Sequence, residues 1–266
     1  MKKHGQKALA GRRILVTRPR GQSGELAGLL RRAGARVLAL PAIRIGPPSS
    51  FRPMDAAARR LLDGGYSAVV FTSANGVKSF FERLRRAEPG LTARRAALAS
   101  VRFAAIGPKT AEALKNRGVP AASCPSEHVG EALARSLRVR RGERLLLPQA
   151  AQARAVLARL LRKKGAKVDV VEAYRTSPDP AAARRLKAEL LGGRPPDWIT
   201  FSSVSTVESL CGLLSRPQWR GVFKRCRAAA IGPVTGRALL KTGVRPSALA
   251  RPCTAKGLAE AIRCAT

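Results

Sequence analysis

Residues 104–119 read AAIGPKTAEALKNRGV and residues 229–244 read AAIGPVTGRALLKTGV, identical at ten of sixteen positions. The repetition is wider than this phrase. Residues 14–45 align without gaps on residues 145–176 with eleven identities in thirty-two, including RRAGARV (31–37) against RKKGAKV (162–168). FTSANGVKSFFERL (71–84) then answers to FSSVSTVESLCGLL (201–214), before the two AAIGP segments arrive in the same order. The chain is a tandem duplication, so whatever one copy folds into must be present twice.

Within each copy, short β-rich runs alternate with helical stretches of Ala, Leu and Arg. The runs, among them RILVTRP, YSAVVFTS, RFAAIG, RLLLPQ, DWITFSS and RAAAIG, are mostly continuous apolar rather than alternating. Strands covered on both faces have that pattern. The expected fold class is therefore α/β: two similar lobes, each a parallel sheet flanked by helices, at 266 residues long enough for two cores.

The second strand of each copy continues past the length a sheet strand needs and ends in a proline-marked stretch, PAIRIGPP (41–48) and EAYRTSPDP (172–180). Two equivalent extended segments read as two linkers. If both cross between domains, one domain is discontinuous, residues 1–43 plus 177–266, and the other is 47–172, with linkers near 44–46 and 173–176. Two sequential domains divided near residue 142 is the simpler alternative, and periodicity alone leaves both open.

The repeated turns carry a chemistry. In AAIGP a strand ends at Gly107 or Gly232, the glycine permits a tight turn, and the following proline suits the first helical position, where no N–H is needed. The next amides, at Lys109, Thr110 and Ala111 and at Val234, Thr235 and Gly236, are expected to lack helical partners. FTSAN (71–75) and FSSVS (201–205) repeat the plan with small hydroxyl residues as N-cap and first turn. Four such turns on the carboxyl ends of parallel strands, where open α/β sheets bind ligands, point to anion binding. No GxGxxG or GxxxxGK[ST] follows a strand, so carboxylate is expected rather than a dinucleotide.

Composition narrows the alternatives. Five cysteines, odd in number and never in a CxxC pair, with only His4 and His128 as imidazoles, argue against a zinc site or a disulfide framework. Fifty-one Lys and Arg against sixteen Asp and Glu give +35, a field that attracts any polyanion. The surplus is spread through Ala-rich helices without a basic block, and aromatics are 4% of the chain; specific nucleic-acid recognition is not expected, non-specific sticking at low salt is. No run approaches the roughly 18 apolar residues of a membrane span. The basic start MKKHGQKALAGRR has neither an apolar core nor a cleavage site, and reads as a ragged tail on a cytoplasmic, monomeric protein.

VTRP (16–19), VVFTSANGV (69–77), AAIGPKTAEAL (104–114), VEAYRT (171–176), ITFSSVSTVESL (199–210) and AAIGPVTGRAL (229–239) resemble, in order, the markers of the uroporphyrinogen-III synthase family. The resemblance covers about Arg13 to Ile262. It implies a two-domain protein with a cleft between α/β lobes. The implied reaction closes hydroxymethylbilane, a linear tetrapyrrole with eight carboxylates, to uroporphyrinogen III with loss of water and inversion of ring D through a spiro intermediate. No cofactor or metal is implied. Catalysis is then chiefly positioning of the substrate's anionic arms.

Carried over residue by residue, the family's tyrosine falls on Tyr174, as a hydrogen-bond donor to the departing hydroxyl; its counterpart in the first copy is Ile43. The implied substrate-binding residues are Thr17 and Arg18, Ser73, Ala74 and Asn75, Lys109 and Thr110, Ser202 and Ser203, and Val234 and Thr235. The second AAIGP turn departs from the family in holding Val234 where a hydroxyl is frequent, and TSANGV has Gly76 where alanine is usual, a difference expected to matter little. Two other classes stay open: a non-catalytic two-lobe anion-binding protein, and a basic protein associated with nucleic acid.

Overall fold

The computed structural model describes residues 8–127 and 129–266. His4, the first seven residues of the basic tail and His128 lie outside the described residues. The first copy runs β1 (Arg13–Val16), α1 (Gly24–Arg32), β2 (Arg36–Ala39), β3 (Ile43–Gly46), α2 (Arg52–Leu62), β4 (Ala68–Phe71), α3 (Ala74–Ala87), α4 (Leu91–Ala99), β5 (Arg102–Ala105) and α5 (Pro108–Lys115). After α6 (Gly130–Ser136), the second copy opens with β6 (Arg144–Ala150), α7 (Val156–Lys163), β7 (Lys167–Pro178), α8 (Pro180–Leu191) and β8 (Trp198–Phe201). It ends with α9 (Val204–Gly212), α10 (Arg216–Arg225), β9 (Arg227–Ala230), α11 (Pro233–Lys241), β10 (Ala248–Leu249) and α12 (Ala255–Cys264).

The two copies do not fold one after the other. One compact unit comprises the chain up to Ile45 together with Ser177–Thr266, and the other is Gly46–Thr176. The divisions fall inside β3 and β7, the proline-marked stretches. The second strand of the first copy is interrupted: Pro41, which has no N–H to give a ladder, separates β2 from β3. Its counterpart in the second copy runs unbroken as the twelve residues of β7.

The first unit holds a five-stranded sheet in the order β10-β9-β8-β1-β2. All four of its pairings are parallel. The second unit is built on the order β3-β7-β6-β4-β5, with β7-β6, β6-β4 and β4-β5 parallel. In the repeat, β9, β8, β1 and β2 correspond to β5, β4, β6 and β7, so the two sheets share one strand order. Even the short β10 pairing has its match, an isolated parallel bridge between Ala104 and Ser123. Each sheet thus joins the opening of one copy to the close of the other.

Burial explains the unbroken apolar runs. Leu15, Ile199, Phe201 and Ala230 enter one cluster of the first unit while Ile14, Val16, Trp198 and Ala229 enter the cluster on the other face. In the second unit Val69, Phe71, Phe103 and Leu146 divide in the same way from Ala68, Val70, Ala104 and Leu147. With helices on both sides the strand positions of the sheet centre are apolar apart from Thr200, whose hydroxyl is satisfied by the Leu15 carbonyl. Each fully buried Phe or Leu contributes about 1.5–3 kcal/mol. The α/β class with parallel sheets expected from the runs is the class observed. Among the described residues no helix is long and apolar enough to cross a membrane.

Candidate functional site

In the first unit, neighbouring strands β9, β8 and β1 end at Ala230, Phe201 and Val16. The residues that follow them are Val234 and Thr235, Ser202 and Ser203, and Thr17 and Arg18. In the second unit β5, β4, β6 and β7 bring Lys109 and Thr110, Ser73 to Asn75, Gln149 and Tyr174 to the same carboxyl edge. Every candidate residue therefore lies on the carboxyl edge of one parallel sheet or the other, the edge where such sheets bind ligands.

Ser73 and Ser203 are N-caps with extended backbone, and each side-chain oxygen accepts from the amide three residues on, Gly76 at 3.1 Å and Thr206 at 3.2 Å. Ser203 belongs to a full capping box, its own N–H bonded to the Thr206 hydroxyl oxygen. As cap acceptors these serines keep an O–H hydrogen to direct at an anion. The burial pattern over residues 71–80 repeats unchanged over 201–210, so the two turns are built alike although only Phe71, Ser73, Val77 and Ser79 recur in sequence.

The AAIGP turns differ from expectation. The amides of Thr110 and Ala111 both reach the Gly107 carbonyl at 3.0 Å, and that of Gly236 reaches the Gly232 carbonyl at 2.9 Å. Thr110 and Thr235 are buried beneath their turns, while Lys109 is exposed. Nor is glycine needed for its backbone freedom: Gly107 and Gly232 are extended, with φ of −171° and 176°. At Gly232 the reason is space, because a Cβ there would lie 2.7 Å from Cys253 Sγ. Gly76 is tight for a related reason. A Cβ at that position would meet the Pro148 carbonyl oxygen at 2.9 Å, so the glycine matters here, contrary to the reading from sequence.

At the end of β1 the Thr17 hydroxyl donates to the Thr200 carbonyl at 2.6 Å, fully buried, and the Thr200 hydroxyl donates to the Leu15 carbonyl at 3.1 Å. Thr17 is spent on locking β1 to β8, which fixes the residue after it. Arg18 is half-buried, and its Nε and Nη1 are enclosed without a hydrogen-bond partner. Burial lowers its pKa, opposed in part by the charge of Glu25 in the first turn of α1. An enclosed guanidinium with two unanswered N–H groups is costly unless an anion completes it. The equivalent position in the second unit is Gln149, buried and neutral. The gapless repeat pairs these two residues, and that signal was readable although Gln149 was not singled out.

Tyr174 gains its place from a bulge. The β6-β7 register runs Gln149 to Glu172 and then Ala150 to Tyr174, passing over Ala173. Ala173 and Tyr174, neighbours in sequence, consequently pack on the same apolar cluster instead of on opposite faces. The Tyr174 phenol is half-buried at the end of the sheet. Among the described residues no group of three or more His, Cys, Asp and Glu stands together as a metal site.

This arrangement has known counterparts. The profile of the family described as uroporphyrinogen-III synthase HemD matches residues 24–260. Uroporphyrinogen-III synthase of Synechococcus elongatus is 32% identical over 240 residues, 86% of either chain. The porphyrin biosynthesis protein HemD of Ruminiclostridium josui is 31% identical over 90% of this chain and 46% of its own length. Among solved structures, a mutant uroporphyrinogen III synthase of the extremely thermophilic bacterium Thermus thermophilus superposes with a TM-score of 0.70 at 25% identity, covering 95% of this chain and 98% of the other. The duplicated α/β units, the strand-end turns and these relatives lead to one conclusion: the chain belongs to the uroporphyrinogen-III synthase family, enzymes of porphyrin biosynthesis.

Proposed function

We propose that the chain closes hydroxymethylbilane to uroporphyrinogen III, expelling the terminal hydroxyl as water and inverting ring D through a spiro intermediate, without cofactor or metal. The observation that supports this most directly is Arg18, whose enclosed Nε and Nη1 have no acceptor. A substrate carboxylate supplies the missing acceptor, and Thr17 holds the backbone that presents it. Ser73, Ala74 and Asn75, Lys109 and Thr110, Ser202 and Ser203, and Val234 and Thr235 form the turns that receive further carboxylates. Their part is positioning, which brings ring D to its partner in the inverted orientation.

Tyr174 donates its O–H to the departing hydroxyl, so the C–O bond breaks as water leaves and the pyrrole nitrogens take up the resulting positive charge. The substrate's own electrons stabilise the cation, and no strong protein nucleophile is needed. The protein acts in the cytoplasm as a monomer on this polycarboxylate, and nucleic acid is held only by diffuse charge at low salt.

The test is to supply freshly made hydroxymethylbilane to the purified chain, oxidise the products and separate type I from type III porphyrin. Type III above the spontaneous type I background is expected. Type I alone, with saturable substrate binding, overturns the reading.

A further inference from the structure

Helix α10 of the second copy and its counterpart α4 of the first are packed differently. In the first unit α10 buries Trp219 and Val222, and Trp219 packs edge-on against Phe223 with ring centroids 4.7 Å apart and against Phe201 at 6.4 Å. The gapless register of the AAIGP repeat sets α4 opposite α10, pairing Arg94 with Trp219 and Leu98 with Phe223. Helix α4 buries no residue. Where the first unit has an aromatic plug, the second has a cavity of about 1080 Å³ beneath α4.

The cavity lies toward the opposite end of the sheet from the strand-end turns, since it is lined by the C-terminal half of α3 (Phe81 to Arg85), by Val101 and Phe103 at the start of β5, and by Asn116 to Pro120 beyond the end of α5. Its apolar wall includes Phe81, Phe103, Val101 and Val119. Phe81 and Phe103 stand 6.2 Å apart in a tilted pair. Four guanidinium groups border it, Arg85, Arg94, Arg95 and Arg117, against one carboxylate, Glu82. Glu82 stands 4.0 Å from Lys78. Arg117 lies over the Phe81 ring at 5.8 Å, and Arg94 donates to the Glu88 carbonyl. The side chains of Arg85 and Arg95 carry no hydrogen bond or ion pair among the described residues.

We propose that this cavity is a second ligand site, for a small planar aromatic anion bearing a carboxylate or sulfonate. The missing Trp219 and Phe223 equivalents leave an apolar space suited to rings, and the excess of guanidinium at its mouth selects negative charge. Its volume is at the upper end of small-molecule sites, roughly 300–1,000 Å³. The site is separate from the residues assigned to the cyclisation, so it can be filled or emptied without touching them.

The probe is anilinonaphthalene sulfonate, titrated by fluorescence on the full chain at moderate salt beside the uncharged phenylnaphthylamine. The sulfonate is expected to bind saturably and more tightly than the neutral dye. Arg85→Gln with Arg95→Gln should weaken it about tenfold. Arg94→Trp with Leu98→Phe, which installs the other unit's plug, should abolish binding while type III product formation continues at the parent rate. Arg216→Gln with Arg220→Gln, on the plugged unit, should leave the titration unchanged. Equal binding of the two dyes, an undiminished titration in the plugged variant, or equal losses in the two Arg→Gln pairs would each overturn the proposal. Sedimentation that shows a dimer dissolved by the plug would assign the cavity to a second copy of the chain instead.

Discussion

The hydroxyl of Ser79 donates to the carbonyl oxygen of Ala173 at 2.5 Å, tying α3 to β7 within the second unit. Its repeat equivalent Ser209 donates to Ala42, the equivalent of Ala173, at 2.6 Å within the first unit. Each bond joins the first copy to the second, at the same helical position and the same point of the repeat, although Ala173 lies within β7 and Ala42 in the break between β2 and β3.

Replacing either serine by alanine takes a side-chain donor from the carbonyl of a buried alanine, although the Ala42 carbonyl keeps the Asp179 amide at 3.2 Å. Ser79→Ala and Ser209→Ala should each cost about 1 kcal/mol, and the double variant their sum, since the two bonds share no partner. Chemical denaturation of the three variants measures this; a single variant that costs nothing would show its bond to be replaced by water.

Arg18→Met should separate stability from binding. Removing an enclosed, unanswered guanidinium leaves folding stability unchanged or raised. Losing a charge-assisted contact to a carboxylate worth about 1.5–3 kcal/mol should raise KM roughly 10- to 100-fold. Steady-state kinetics beside a thermal melt reads both. A destabilised protein with parental KM would make Arg18 structural.

Tyr174→Phe should lower kcat by about tenfold or more with little change in KM, because the ring still fills its half-buried place and only the donated hydrogen is gone. The ratio of type III to type I porphyrin reports the outcome. Unchanged turnover would remove the phenol from the reaction.

The Tyr66 hydroxyl donates to Asp169 at 2.8 Å, and burial together with that carboxylate pushes its pKa up to about 12. The folded chain keeps this proton to higher pH than the unfolded chain, whose phenol titrates near 10. The stabilisation is complete below about pH 10 and is lost as pH rises toward about 12. Tyr66→Phe should flatten that alkaline decline in denaturant titrations and remove the phenolate absorbance step near the upper value.

Gly76→Ala should destabilise by about 1–3 kcal/mol, the cost of overpacking, because the new methyl meets the Pro148 carbonyl oxygen at 2.9 Å. Thermal melts decide this; an unaffected melting temperature would mean that β6 yields at that point without penalty.

The duplication, the strand-end turns and the parallel sheets were legible because each is carried by local pattern: apolar runs, a glycine and proline at a strand end, a serine before a helix. The burial of Thr110 and Thr235 was not, since a threonine in a first turn reads as a donor whether it faces solvent or core. The steric need at Gly232 depends on Cys253, which reaches it only through the fold. The bulge at Ala173 leaves no mark in the sequence beyond the mismatch of Ile43 with Tyr174. The pairing of Arg18 with Gln149 was written in the gapless alignment, but its meaning required knowing which N–H groups are enclosed.

Because each unit combines the opening of one repeat with the close of the other, neither half of the chain contains either sheet as it stands in the structure. Residues up to about 142 alone hold β1 without β8 and β4 without β6. One half does hold one strand of each equivalent kind, so the exchange is a choice of partner that the duplicated sequence leaves open. Having been made, it means that neither sheet can be completed until the second copy is present, and the two repeats fold as one chain.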